Sequence, residues 1–127
     1  MRPMILVAED DPDLQSLVRH CLEGDGYMVR VAGDGHEALE LFRDLKPDLL
    51  ILDVMMPRAT GFEVLRELRD ADELRRETPV LILSSRASED DVITGFDLGV
   101  ADYVTKPFAI GELRARVRSL LARRPSA

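Results

Sequence analysis

The chain has 127 residues, of which 46% are hydrophobic and 32% charged, and its formal net charge is −7. That is one domain's length, with enough apolar material for a real core, so a disordered chain is excluded. An acidic surface repels phosphates and anionic lipid, so direct nucleic-acid binding and membrane association are not expected, and no apolar run approaches the ~18 residues of a membrane span.

Apolar runs of strand length alternate with helical periodicities along the chain. Met4–Ala8 is the first run, and Leu14, Leu17, Val18, Cys21 and Leu22 follow at i, i+3, i+4, i+7, i+8, one apolar stripe of a helix. Gly24-Asp25-Gly26 ends that helix before the second run, Tyr27–Ala32. Ala38, Leu41, Phe42 and Leu45 form the second stripe, closed by Pro47, and Leu49–Leu52 is the third run. Phe62, Leu65 and Leu68 mark a third helix. Pro79 precedes the fourth run, Val80–Leu83, and Val92, Ile93 and Phe96 predict a fourth stripe ending at Gly99. Ala101–Thr105 and then Ile110, Leu113, Val117, Leu120 and Leu121 complete the set. Three runs are apolar on both faces, as buried parallel strands are. Five β-α units result, hence an α/β fold with a parallel sheet covered on both sides. They account for residues 1–123, and 124–127 read as a tail or the start of a linker. The lone Cys21 cannot form an internal disulfide, and acids follow the apolar start too soon for a signal peptide. Both fit a cytoplasmic protein.

In such sheets the working site lies outside the carboxyl ends of the strands. Those ends carry Glu9-Asp10-Asp11, Asp53, Ser84-Ser85 and Lys106-Pro107. Asp11 precedes Pro12 and suits a helix N-cap, which leaves Glu9 and Asp10 for a metal. Carboxylates gathered closely raise one another's pKa, and a hard divalent ion resolves the conflict, Mg²⁺ first among them. Asp53 ends an otherwise apolar strand as a ligand, a nucleophile or a cap. Ser84 is a hydroxyl for an oxyanion or a cap, although Ser88 is the better cap for the fourth helix. Lys106 presents a point charge to an anion such as phosphate. Metal, carboxylate, hydroxyl and lysine together are equipment for phosphoryl transfer, with an aspartyl phosphate as product. No Walker-type glycine loop is present, so ATP is not the direct donor.

Several segments carry a resemblance over essentially the whole chain. They are Ile-Leu-Val-Ala-Glu9-Asp10-Asp11, Pro47-Asp48-Leu-Leu-Ile-Leu-Asp53-Val-Met-Met-Pro57, Gly61-Phe62-Glu63, Pro79-Val-Leu-Ile-Leu-Ser84-Ser85 and Gly99-Val-Ala-Asp102-Tyr103-Val-Thr-Lys106-Pro107-Phe108. Together they resemble the receiver domain of two-component response regulators. The resemblance implies a doubly wound, flavodoxin-like sheet of order 2-1-3-4-5 with five helices. It implies Asp53 as phosphoacceptor, Glu9, Asp10, Asp53 and the Met55 backbone carbonyl as Mg²⁺ ligands, and Lys106 as the phosphate contact before a cis bond to Pro107. Ser84 matches the switch hydroxyl and Tyr103 the switch aromatic. The implied donor is a phosphohistidine on a histidine kinase or histidine phosphotransferase, and neither His20 nor His36 is placed to be it. Phosphorylation would alter the face of the fourth helix, fifth strand and fifth helix, through which a homodimer is a further implied partner. Asp102, Glu112 and Arg116 resemble the dimer's salt-bridge set. Val92 stands where winged-helix members usually carry a basic residue, so it departs from that pattern and reads instead as part of the core stripe.

The resemblance makes the chain a phosphorylation-dependent switch whose phosphorylation and dephosphorylation are self-chemistry, not an enzyme. Two other classes of protein have features that differ from this sequence. A Mg²⁺-dependent phosphohydrolase usually has a second acid just after its nucleophile, where Val54 and Met55 stand. A phosphorylation-independent binding module normally lacks pocket residues that are present here. Arg114, Arg116, Arg118, Arg123 and Arg124 make the last helix basic, which complements a helix C-terminus. The sign-alternating run 66–77 reads as solvated helix and loop. Met55 and Arg86 flank the site, at positions suited to tuning attack by water.

Overall fold

Strands β1 (Met4–Ala8), β2 (Met28–Ala32), β3 (Leu49–Leu52), β4 (Val80–Ser84) and β5 (Asp102–Thr105) alternate with helices α1 (Pro12–Gly24), α2 (Gly35–Leu45), α3 (Gly61–Asp70), α4 (Glu89–Asp97) and α5 (Ile110–Arg123). This is a computed structural model, and it describes residues 2–74 and 78–123. The tail 124–127, Arg124 and residues 75–77 of the alternating run lie outside the described residues. The five strands pair in parallel in the order β2-β1-β3-β4-β5, as the resemblance implies. Every strand boundary agrees with its sequence run to within one residue.

The central strands β1, β3 and β4 are buried on both faces, while the edge strands β2 and β5 each keep exposed and half-buried residues. One core layer sets Leu6, Leu50, Leu52 and Ile82 against Phe42 of α2 and Phe62, Leu65 and Leu68 of α3. The other sets Ile5, Val7, Ile51, Leu81 and Leu83 against Val18 and Leu22 of α1 and Leu113 and Val117 of α5. Removing one of these leucine side chains costs about 2–5 kcal/mol.

Helix starts are chemically marked. Asp11 caps α1 by accepting from the Asp13 N–H, with Pro12 in the first turn, and Ser88 caps α4 by accepting from the Asp91 N–H. Thr60 and Glu63 form a reciprocal capping box on α3. Two stripes differ from expectation. Leu17 is exposed on α1. On α4, Ile93 and Phe96 are 49% and 48% exposed and Val92 is half-buried. The reason is local: the α4 residue that meets the sheet is Gly95, packed on the Tyr103 ring. A glycine supplies no side chain to the apolar pattern, so the larger neighbours on the same helix are left outside.

Candidate functional site

The parallel sheet brings the carboxyl ends of β1, β3, β4 and β5 to one rim. Each strand delivers a polar group there because the hydrophobic run stops. The Asp53 N–H donates to the Ala8 carbonyl and the Lys106 N–H to the Ser84 carbonyl, so the sheet ladder itself sets the mutual heights of these residues. Glu9 is 3% and Asp53 5% exposed, and Ser84 is fully buried.

Carboxylate oxygens of Glu9, Asp10 and Asp53 all lie within 4.8 Å of one another. The Lys106 Nζ enters the cluster from the opposite side, donating to Asp53 Oδ2 at 2.9 Å and also to Glu9 Oε1. With all groups ionised, three carboxylates and one ammonium leave two negative charges in excess. The strain shows on Glu9. Burial is the largest influence and pushes its carboxyl up to about 7; the Lys106 hydrogen bond opposes this and the Asp53 charge adds to it. Burial alone would lower the Lys106 ammonium, but its bonds to Glu9 and Asp53 raise it above the ordinary lysine value. An oxygen-only cluster with this excess charge, Glu9 and Asp53 buried and Asp10 open to solvent, fits a hard divalent cation such as Mg²⁺. Glu9, Asp10 and Asp53 are the residues able to hold it.

The remaining side chains surround Asp53. The Met55 N–H donates to Asp53 Oδ1 at 3.1 Å. Ser84 Oγ accepts from the Arg86 N–H at 3.2 Å, and the Tyr103 hydroxyl donates to the Arg86 carbonyl. Burial, then the Asp91 charge from α4, pushes the Tyr103 phenol above its usual value. The Lys106–Pro107 bond is cis, as the resemblance implies. Thus Glu9, Asp10, Asp53 and Lys106 meet directly, and Ser84 and Tyr103 connect through the Arg86 backbone. His20 and His36 are exposed and outside the cluster.

Three contributors escaped sequence reasoning. The Gln15 side-chain amide donates to the Glu9 carbonyl, bracing the acidic loop from α1; its place one turn into that helix was the available signal. Gly61 lies so close to the Asp53 backbone that a Cβ would fall on the Asp53 carbonyl oxygen, with Val54 Cα at 3.0 Å. Its position within Gly61-Phe62-Glu63 was visible, its reason was not. Asp91 holds the Arg86 guanidinium at 2.8 Å, a contact no spacing rule reveals.

On the basic helix, Arg114 is bidentate to Asp25, and Arg116 bonds Asp102 and Glu112. These arginines therefore meet acids of this chain. The three resembling members of the dimer salt-bridge set pair here within one molecule. Among the described residues no helix is long and apolar enough to cross a membrane.

Comparison with known proteins agrees with this geometry. The family model described as "Response regulator receiver domain" matches residues 5–118. The response regulator MprA of Mycobacterium ulcerans is 46% identical over 123 residues, covering 97% of this chain and 52% of the relative. The chain thus spans about half the length of the curated relatives it matches. Among solved structures, a Francisella response regulator receiver domain superposes with a TM-score of 0.89 at 39% identity, covering 96% of this chain and 98% of that one. The BeF3-activated N-terminal receiver domain of Klebsiella pneumoniae RstA gives 0.85 at 32% identity, covering 94% of this chain and 99% of that one.

Proposed function

From the premise that this chain belongs to the response regulator receiver domain family of two-component systems, we propose that Asp53 accepts a phosphoryl group and that the chain is a phosphorylation-dependent signalling switch. The observation that carries this reading is the Lys106 ammonium bonded to both Asp53 and Glu9 at the rim of the sheet.

The donor is a phosphohistidine on a histidine kinase or histidine phosphotransferase. An Asp53 carboxylate oxygen attacks phosphorus, the phosphorus–nitrogen bond to the donor imidazole breaks, and its electron pair returns to the ring. The Met55 N–H on Oδ1 and the Lys106 Nζ on Oδ2 hold the carboxylate in one orientation for the attack. Lys106 then neutralises part of the charge spread over the phosphoryl oxygens. Mg²⁺, held by Glu9, Asp10, Asp53 and the Met55 backbone carbonyl, supplies further neutralisation of those oxygens when bound. The chain performs this chemistry on itself and turns over no free substrate.

The new group carries about −1.5 to −2 charges and strong acceptor oxygens. Ser84 turns its hydroxyl toward it, which loosens the Ser84–Arg86–Tyr103 connection and repacks the face of α4, β5 and α5. That face controls an output, and in some members of the family it supports a homodimer. The acidic surface speaks against direct nucleic-acid contact by this domain, and the single cysteine fits a cytoplasmic setting. The test is labelling with phosphoramidate or acetyl phosphate in the presence of Mg²⁺. The unaltered chain is expected to be labelled and Asp53→Asn not; equal labelling of the two overturns the reading.

A further inference from the structure

We propose that Gly35, at the start of α2, is a positioning residue for Mg²⁺: it holds the loop after β3 in the shape from which the Met55 backbone carbonyl serves as a ligand. The inference rests on the Mg²⁺ site proposed above and concerns what keeps its one backbone ligand in place.

The loop joins β3 to α3. Its two ends are held from within. Val54 is buried, its carbonyl accepts from the Gly61 N–H at 2.9 Å, and Thr60 belongs to the capping box of α3. The apex is different. There the Ala59 N–H donates to the Pro57 carbonyl at 2.9 Å, and Arg58 between them has φ 72°. A bond from residue i+2 back to residue i around a positive φ is a γ-turn, a strained conformation for any residue with a Cβ. Pro57 and Arg58 are both exposed, so no core packing holds this turn from below. Backbone strain persists only where the surroundings impose it.

Those surroundings are the first turn of α2. The Pro57 carbonyl accepts a second bond, from the Gly35 N–H at 3.3 Å. A Cβ on Gly35 would lie 2.5 Å from the Ala59 Cβ and closer still to the Ala59 carbonyl oxygen. Gly35 is not among the residues of positive φ, so glycine stands here for want of room and not for its backbone conformation. The helix is the firmer partner: Gly35 is buried, and Ala38, Leu39 and Phe42 behind it belong to the core. A side chain at position 35 therefore displaces the turn and leaves the helix in place. One other link joins the two elements. Arg58 Nε lies 3.8 Å from Asp34 Oδ2, while Asp34 Oδ1 caps α2. The Arg58 side chain is 69% exposed, and an ion pair so long and so open to water contributes little. The close backbone contact at Gly35 is what fixes the turn.

Pro57 is two residues from Met55, and the Met56 side chain between them is buried. The path from the turn to the Met55 carbonyl is thus short and anchored, with little slack to absorb a shift. Glu9 and Asp10 follow β1 on another loop and do not move with it. Mg²⁺ demands near-ideal octahedral geometry, so a ligand displaced relative to the others weakens binding.

The experiment is calorimetric titration of the full chain with Mg²⁺ alone. Gly35→Ala is expected to weaken binding about tenfold, the lower end of what loss of a supporting residue costs a metal site. Ala59→Gly takes away the side chain that Gly35 faces and introduces no overlap. It is expected to weaken binding about threefold, a contact loosened rather than overrun, and it carries the test if Gly35→Ala does not fold. Leu120→Ala empties part of the opposite core layer. It is expected to lower the urea midpoint yet keep the affinity of the folded chain within about twofold, as distant sites act independently. Arg58→Asn keeps a residue tolerant of positive φ and removes the ion pair, and it too is expected to stay within about twofold. Unchanged affinity in Gly35→Ala, or in Ala59→Gly where that variant alone folds, overturns this role; so does an equal loss in Leu120→Ala or Arg58→Asn. Absence of Mg²⁺ binding by the unaltered chain overturns the metal site itself.

Discussion

Lys106 Nζ lies 2.9 Å from Asp53 Oδ2 and donates at the same time to Glu9 Oε1, so one ammonium from the end of β5 ties the ends of β1 and β3 together. Without it, two buried carboxylates face each other across the rim. Lys106→Met is expected to reduce labelling of the chain by small phosphoryl donors by about 10²–10³-fold, the range for removing one preorganised charge-stabilising donor. Initial rates of labelling check this; a loss of only a few-fold would mean that the lysine is chiefly a structural tie.

The excess of negative charge at Glu9, Asp10 and Asp53 makes the folded chain a better binder of Mg²⁺ than the unfolded one. Saturating Mg²⁺ at about one hundred times its dissociation constant is expected to stabilise the fold by about 2.7 kcal/mol. Asp10→Asn removes an exposed ligand without emptying the core, so it should fold normally and lose most of that gain. Thermal melts with Mg²⁺ and with a chelator measure both, and the chelator is also expected to abolish labelling. A melt indifferent to Mg²⁺ would speak against the cluster as its site.

Gly61 is set against the Asp53 carbonyl with no room for a side-chain carbon. Gly61→Ala must push β3's end or the start of α3 aside. A cost of about 1–3 kcal/mol is expected, as for overpacking elsewhere, read from the urea midpoint. Labelling should fall as well, because the shifted backbone carries the carboxylate. Substitution at Gly24, where a Cβ meets nothing within 4 Å, is the control.

The bidentate contact of Arg114 with Asp25 joins α5 to the turn after α1. The hydrogen bond from Arg114 is the largest influence on Asp25 and holds its carboxyl below the ordinary value of 3.8. A depressed carboxyl stabilises the fold above its unfolded value, and that contribution is lost as pH falls through the folded value. Asp25→Asn is therefore expected to be slightly less stable than the unaltered chain at neutral pH, with the difference shrinking below pH 3.8. Added salt shrinks it too, since the pair is exposed. Urea unfolding at several pH values checks the sign; a gap that widens in acid would contradict it.

Much of this molecule was legible in its sequence. Runs such as Leu49–Leu52 and Val80–Leu83 are apolar on both faces because both faces are covered, and they mark the central strands without any partner being known. The polar residues that stop these runs, Asp53 and Ser84, are at the rim because hydrophobic burial ends there. Asp11 and Ser88 were readable as caps for the same local reason. The failures share a cause as well. Ile93 and Phe96 have the period of a buried stripe, but the inward position of α4 is the side-chain-free Gly95, and periodicity does not register a glycine as a contact. The Arg86–Asp91 bond and the approach of Gly61 to Asp53 depend on how the loops fold back over the rim. No spacing along the chain encodes such distances.

The central claim is that Asp53, and no other residue, receives the phosphoryl group. It is tested most directly by labelling the full chain with phosphoramidate and Mg²⁺, reducing the acyl phosphate with borohydride, and mapping the product by peptide mass. The account predicts homoserine at position 53, absent when Mg²⁺ is chelated. Homoserine at any other position, or a labelled chain with an unmodified Asp53 peptide, would contradict it.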